Sequence, residues 1–160
     1  MFGFFNKKNK VLAPFDGQVI KLEEVPDEAF AKKIIGDGLA IIPENNKNNK
    51  LIAPFDCKVE QIFDTKHAFV LRSLENLQIL IHVGINTVKL NGEGFDIKIS
   101  EKQELKRGDV IAKINFDFIL EKNYSICTPI IFMNLNEFKV DFKFGRVQAG
   151  KDIIAIYKKN

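Results

Sequence analysis

Tryptophan is absent from this chain of 160 residues, and methionine, tyrosine, histidine and cysteine each occur only twice. Two cysteines are too few for the disulfide framework of a secreted domain. Cys57 in F-D-C-K-V and Cys127 in S-I-C-T-P-I read instead as small buried residues with inert thiols. No run approaches the ~20 apolar residues of a membrane span, and no signal-peptide core is found, so a soluble cytoplasmic protein is expected. A large excess of one charge is also lacking. The 24 basic and 21 acidic side chains leave a formal +3, dispersed along the chain, which is not a nucleic-acid footprint. What is present is ordinary for one globular domain: 46% apolar and 28% charged residues, enough to build a core. A monomer is the default expectation.

The first ten residues, M-F-G-F-F-N-K-K-N-K, separate Phe2, Phe4 and Phe5 from Lys7, Lys8 and Lys10. A tail over residues 1–10 of this kind suits either a frayed terminus or weak contact with an anionic membrane surface. The domain proper is expected over residues 11–160. The polar run E-N-N-K-N-N-K from Glu44 to Lys50 reads as a loop.

The chain repeats itself. L-A-P-F-D-G-Q-V begins at Leu12 and I-A-P-F-D-C-K-V begins at Ile52. Two copies are too few for a solenoid but suit a pseudo-symmetric β-sandwich, with Pro14 and Pro54 at strand starts or edges. Strands are expected at Leu39–Ile42, Lys58–Phe63, Ala68–Leu71, Leu77–Val83, Asp96–Ile99, Val110–Ile114, Thr128–Phe132 and Asp152–Tyr157, with glycine-bearing turns between them. Helix is expected only as short turns at Asp27 to Lys32 and Phe116 to Lys122. The class is therefore all-β. L-K-R-G-D-V-I-A-K-I, from Leu105, is also the kind of phrase found in sandwich domains that carry biotin or lipoate. No lysine stands in the context those carriers modify, so a swinging arm is not expected.

The two histidines, His67 and His82, are fifteen residues apart and flanked by strand patterns. A two-residue turn at Leu74–Glu75 would set His67 directly opposite His82 on one face. That face would also carry Phe63, Thr65, Phe69, Leu71, Gln78, Leu80 and Gly84, an apolar patch suited to docking another protein. An apolar surround and a second imidazole both disfavour protonation. A neutral imidazole can act as nucleophile, base or metal ligand. In phosphoryl transfer one ring would attack phosphorus while the other donates to its equatorial oxygens. Two further readings stay open on spacing alone: a structural pair bonded to backbone, and a zinc site on His67 and His82 completed by other ligands.

At these residues the chain resembles the glucose-family enzyme IIA of the bacterial phosphoenolpyruvate-dependent sugar phosphotransferase system. The resemblance runs through A-P-F-D-G at Ala13, V-P-D-E-A-F-A-K-K-I-I-G-D-G at Val25, I-A-P-F-D-C at Ile52, F-D-T-K-H-A-F at Phe63, I-H-V-G-I-N-T-V-K-L-N-G-E-G-F at Ile81 and K-R-G-D at Lys106. It implies a duplicated hybrid β-sandwich that takes a phosphoryl group from phospho-HPr on His82 and passes it to the cysteine of a IIB domain, with no cofactor required. It further implies that His67 stabilises the phosphoryl group, that Thr65 hydrogen-bonds into the pair, and that the Gly84 carbonyl orients His82. Asp27, Ala29, Phe30, Ile34, Ile35, Phe63, Leu80, Asn86 and Val88 match the partner-docking rim. Asn86 stands where relatives carry an aspartate, and Leu80 replaces an aromatic. Some members also regulate other proteins through this face, in which zinc would bridge the histidines to a partner.

Overall fold

A computed structural model of the chain describes residues 9–45 and 49–160. Most of the expected tail, and residues 46–48 of the Asn/Lys loop, lie outside these. Asn9 and Lys10 already belong to the first strand. Among the described residues, fourteen strands and two short α-helices run in the order β1 (Asn9–Leu12), β2 (Gly17–Lys21), α1 (Glu28–Ala31), β3 (Gly38–Pro43), β4 (Lys50–Ile52), β5 (Cys57–Ile62), β6 (Ala68–Ser73), β7 (Gln78–His82), β8 (Phe95–Ile97), β9 (Glu104–Leu105), β10 (Val110–Ile114), α2 (Phe116–Glu121), β11 (Thr128–Phe132), β12 (Phe138–Phe142), β13 (Gly145–Val147) and β14 (Ile153–Lys159). The all-β class holds. Both helical turns form where expected, and each starts on a side-chain cap: Asp27 Oδ1 accepts from the Ala29 and Phe30 amides, and Asn115 from Phe118.

An eight-stranded sheet in the order β13-β2-β3-β11-β7-β6-β5-β9 faces two three-stranded sheets, β1-β14-β12 and β4-β10-β8. The order reads the same from either edge if β13 is exchanged with β9, β2 with β5, β3 with β6, and β11 with β7, so a pseudo-twofold passes between β11 and β7. The sequence repeat carries this symmetry in its hydrogen bonds. Leu12 N–H donates to Pro54 O at 2.9 Å and Ile52 N–H to Pro14 O at 3.1 Å. Asp16 Oδ1 accepts from the Ala149 amide and Asp56 Oδ1 from the Arg107 amide, at 2.8 and 2.9 Å. Each Ala-Pro-Phe-Asp bend is thus clamped to a glycine turn, and both prolines lie just outside strands, where no ladder needs their missing donor.

The main core lies between the sheets and includes Phe15, Leu39, Phe69, Leu71, Ile79, Ile81 and Ile130. A second cluster (Leu22, Val25, Phe30, Ala40, Ile85, Cys127 and Ile131) sits on the other face of the large sheet. It exists because the two halves differ in one connection. Residues 22–37 join β2 to β3 and fold over their half of the sheet, whereas residues 63–67 make only a tight turn between β5 and β6. One half is therefore covered, and the other presents its outer face.

The histidine hairpin differs from expectation by one residue. Ala68, not His67, pairs with His82, and Phe69 pairs with Ile81. The loop has three residues: Asn76 N–H donates to Ser73 O, Ser73 N–H to Leu77 O, and Asn76 takes a left-handed φ of 72°. A type I turn closed by a left-handed residue is a favoured three-residue hairpin connection. The extra residue moves Phe69 and Leu71 off the histidine face and into the main core. β1, β4, β9, β12 and β13 lie outside the expected strands, although F-K-V-D-F in β12 alternates with strand period.

Candidate functional site

In the corrected register His67 lies beyond the end of β6, and its carbonyl accepts from the Val83 amide at 2.7 Å. It still meets His82, because residues 63–66 form a turn in which Lys66 N–H donates to Phe63 O and Lys66 adopts φ 63°. That turn takes His67 out of the pleat. The two rings stand edge to face with centroids 4.7 Å apart. Phe63 packs edge-on against His67 at 5.8 Å and Phe30 against His82 at 5.1 Å. His67 is buried, at 3% exposure, while His82 is half-buried.

Each imidazole has one nitrogen engaged. His82 Nδ1 lies 2.8 Å from Gly84 O, and His67 Nδ1 lies 2.8 Å from Thr65 Oγ1. A carbonyl only accepts, so Nδ1 of His82 carries the proton, and in the neutral ring Nε2 keeps its lone pair. The Thr65 hydroxyl can serve either role. Burial lowers the His67 pKa from 6.5 to about 4, helped by repulsion from His82 and opposed by a backbone contact to Thr65. Burial also lowers that of His82, against the Gly84 hydrogen bond and the negative charge of Asp27. Both rings are neutral near pH 7. Burial pushes the thiols of Cys57 and Cys127 up to about 12 and about 11, as inert core residues.

The rim residues fall on three segments. Asp27, Ala29 and Phe30 belong to α1 and its cap, and Ile34 and Ile35 follow in a turn whose amides both donate to Ala29 O. Phe63 is in the turn before His67, and Leu80 shares the outer face of β7 with His82. Asn86 and Val88 follow Gly84 at the one-turn 3-10 helix Thr87–Leu90. Ile34, Ile35 and Val88 are 72%, 50% and 47% exposed, far more than apolar side chains need to be unless something covers them. The result is an open apolar face with two neutral imidazoles in it.

The sequence as a whole now decides the family. A model of the phosphoenolpyruvate-dependent sugar phosphotransferase system, EIIA 1, matches residues 9–138. The chain belongs to this EIIA family. A PTS system glucose-specific EIIA component from Buchnera aphidicola is 44% identical over 153 residues, covering 94% of this chain and 93% of that one. One from Mycoplasma capricolum is 42% identical over 156 residues, covering 97% and 99%. The solved glucose permease IIA from Mycoplasma capricolum superposes with a TM-score of 0.87 at 41% identity, over 96% of this chain and 97% of that one.

As an EIIA, the protein is a phosphocarrier component of sugar uptake. Among the described residues of this EIIA no helix is long and apolar enough to cross a membrane. Sequence reasoning overlooked two residues that bond the backbone on either side of Gly84, Thr87 through its hydroxyl to Val83 O and Ser125 through its carbonyl to the Ile85 amide. The first was visible as a polar residue in an apolar block, and the second carried no local signal.

Proposed function

We propose that His82 Nε2 is the phosphoryl acceptor. Its lone pair attacks phosphorus of phospho-HPr, a new N–P bond forms, and the bond to the donor breaks with its electron pair leaving on the donor. His67, neutral and edge-on to His82, donates a hydrogen bond from Nε2–H to the equatorial oxygens when the Thr65 hydroxyl donates to its Nδ1. The same face then presents the group to the cysteine of a IIB domain, and the N–P bond of His82 breaks as the S–P bond forms. The observation that carries this reading is the 2.8 Å contact from His82 Nδ1 to Gly84 O, which leaves the outward nitrogen unprotonated. Phe30, Phe63, Leu80 and the exposed Ile34, Ile35 and Val88 form a collar that excludes water once a partner docks, with Asp27 offering charge to a basic carrier. The sugar is glucose by the names its relatives carry, and the setting is the cytoplasm, where the donor and the IIB domain would meet it.

Two neutral imidazoles this close are also donors for zinc. Among the described residues no group of three or more His, Cys, Asp and Glu gathers as a metal site. Zinc would therefore take its remaining ligands from a docked regulatory partner or from water.

The test is phosphorylation with phosphoenolpyruvate, enzyme I and HPr, followed by site mapping under alkaline conditions. Acid-labile phosphate on His82, lost in His82→Gln, supports the reading. His67→Gln is expected to accept phosphate but pass it on poorly. Phosphate that persists in His82→Gln would refute the assignment of the two rings.

A further inference from the structure

The direction of the Gly84 carbonyl is a mechanical problem. Glycine carries the least intrinsic restraint on its two soft dihedrals, and Gly84 sits at φ 80°. Its carbonyl can orient His82 only if the peptide planes on both sides are held. The following plane is anchored, since the Ile85 amide donates to Ser125 O at 3.0 Å. The preceding plane is anchored by Thr87. Its side chain is fully buried, and its hydroxyl donates to Val83 O at 2.6 Å. The Thr87 methyl lies 2.5 Å from where a Cβ on Gly84 would stand, so it packs into the space the glycine leaves open.

The Val83 residue links this anchor to the other ring. Its N–H donates to His67 O at 2.7 Å while its carbonyl receives the Thr87 hydroxyl. A single threonine, whose hydroxyl bonds Val83 O rather than either imidazole, thus restrains the backbone that orients His82 and the segment that carries His67.

We infer that Thr87 is a positioning residue for phosphoryl transfer: its hydroxyl locks the Val83–Gly84 peptide so that the Gly84 carbonyl holds the proton of His82 on Nδ1. This rests on His82 being the acceptor. Thr87→Val keeps the shape and removes the hydroxyl, whereas Thr87→Ser keeps the hydroxyl. Two-bond 1H–15N spectra of the unphosphorylated protein at pH 7.5 report which ring nitrogen carries the proton. In Thr87→Val the His82 pattern should move from a pure Nδ1–H form toward a tautomer mixture. Single-turnover transfer from phospho-HPr should slow about tenfold, the worth of one lost hydrogen bond, with little change in half-saturating phospho-HPr. Thr87→Ser should restore the ring pattern and most of the rate.

An unchanged His82 pattern in folded Thr87→Val would overturn the inference, as would a slowed rate without a change of tautomer. If Thr87→Val does not fold, Thr87→Ser decides: loss of the Nδ1–H pattern while the hydroxyl is present overturns it. The spectra need no phosphate, so a wild type that carries phosphate elsewhere defeats the acceptor assignment while leaving the tautomer result readable.

Discussion

Acidification should destabilise this fold through His67, by an amount the structure sets. The ring is 3% exposed and its pKa lies at about 4 rather than 6.5. Well above pH 6.5 neither the folded nor the unfolded imidazole is charged, and the group contributes no pH dependence. Between 6.5 and about 4 the unfolded chain binds a proton that the folded protein does not, so stability falls as pH falls. At about 1.4 kcal/mol per unit, the loss reaches about 2 kcal/mol at pH 5, and the curve flattens below pH 4. That is a sizeable part of the stability of a typical domain, about 5–15 kcal/mol.

The assay is urea unfolding followed by far-ultraviolet circular dichroism at pH 7 and pH 5, for wild type and His67→Gln. Carboxylates shared by both proteins cancel in the comparison. Wild type should lose about 2 kcal/mol more than His67→Gln between the two pH values. His82→Gln should recover part of the difference, because it removes the second cause of the His67 shift and a ring shifted in the same direction. Equal losses in wild type and His67→Gln would refute the burial argument.

Gly84→Ala should be strongly impaired: a Cβ there would stand 2.5 Å from the Thr87 methyl and 2.9 Å from Ser125 O, and the left-handed backbone alone costs about 1–2 kcal/mol. Wild-type melting and phosphate uptake in this variant would contradict the geometry. Asp27→Asn keeps a cap for α1 but removes the charge that favours protonation of His82; stability should change by under about 0.5 kcal/mol while the His82 pKa falls further. An NMR titration showing a rise would exclude that role for Asp27.

Much of the fold was legible locally. The two Ala-Pro-Phe-Asp copies announced a duplication, and the structure turns them into reciprocal clamps at Pro14 and Pro54. Both helical turns were legible at Asp27 to Lys32 and Phe116 to Lys122, whereas their caps, Asp27 and Asn115, came from the structure. The alternation at Phe138–Phe142 was equally available and went unused.

What the sequence by itself determined is the chemical inventory: two imidazoles, a glycine two residues after the second, and a threonine two residues before the first, in blocks specific enough to identify the family. Tertiary structure decided how they meet. A two-residue turn and a three-residue turn at Leu74 are both locally acceptable. The choice between them depends on which register buries Phe69 and Leu71 beneath the facing sheets. His67 reaches His82 only because Lys66 leaves the pleat. The depressed pKa values come from burial by segments distant in the chain, and Ser125 anchors the Gly84–Ile85 peptide from forty residues away. Local pattern sets strand period and turn chemistry, whereas register, burial and carbonyl direction belong to contacts that exist only once the sheets have packed.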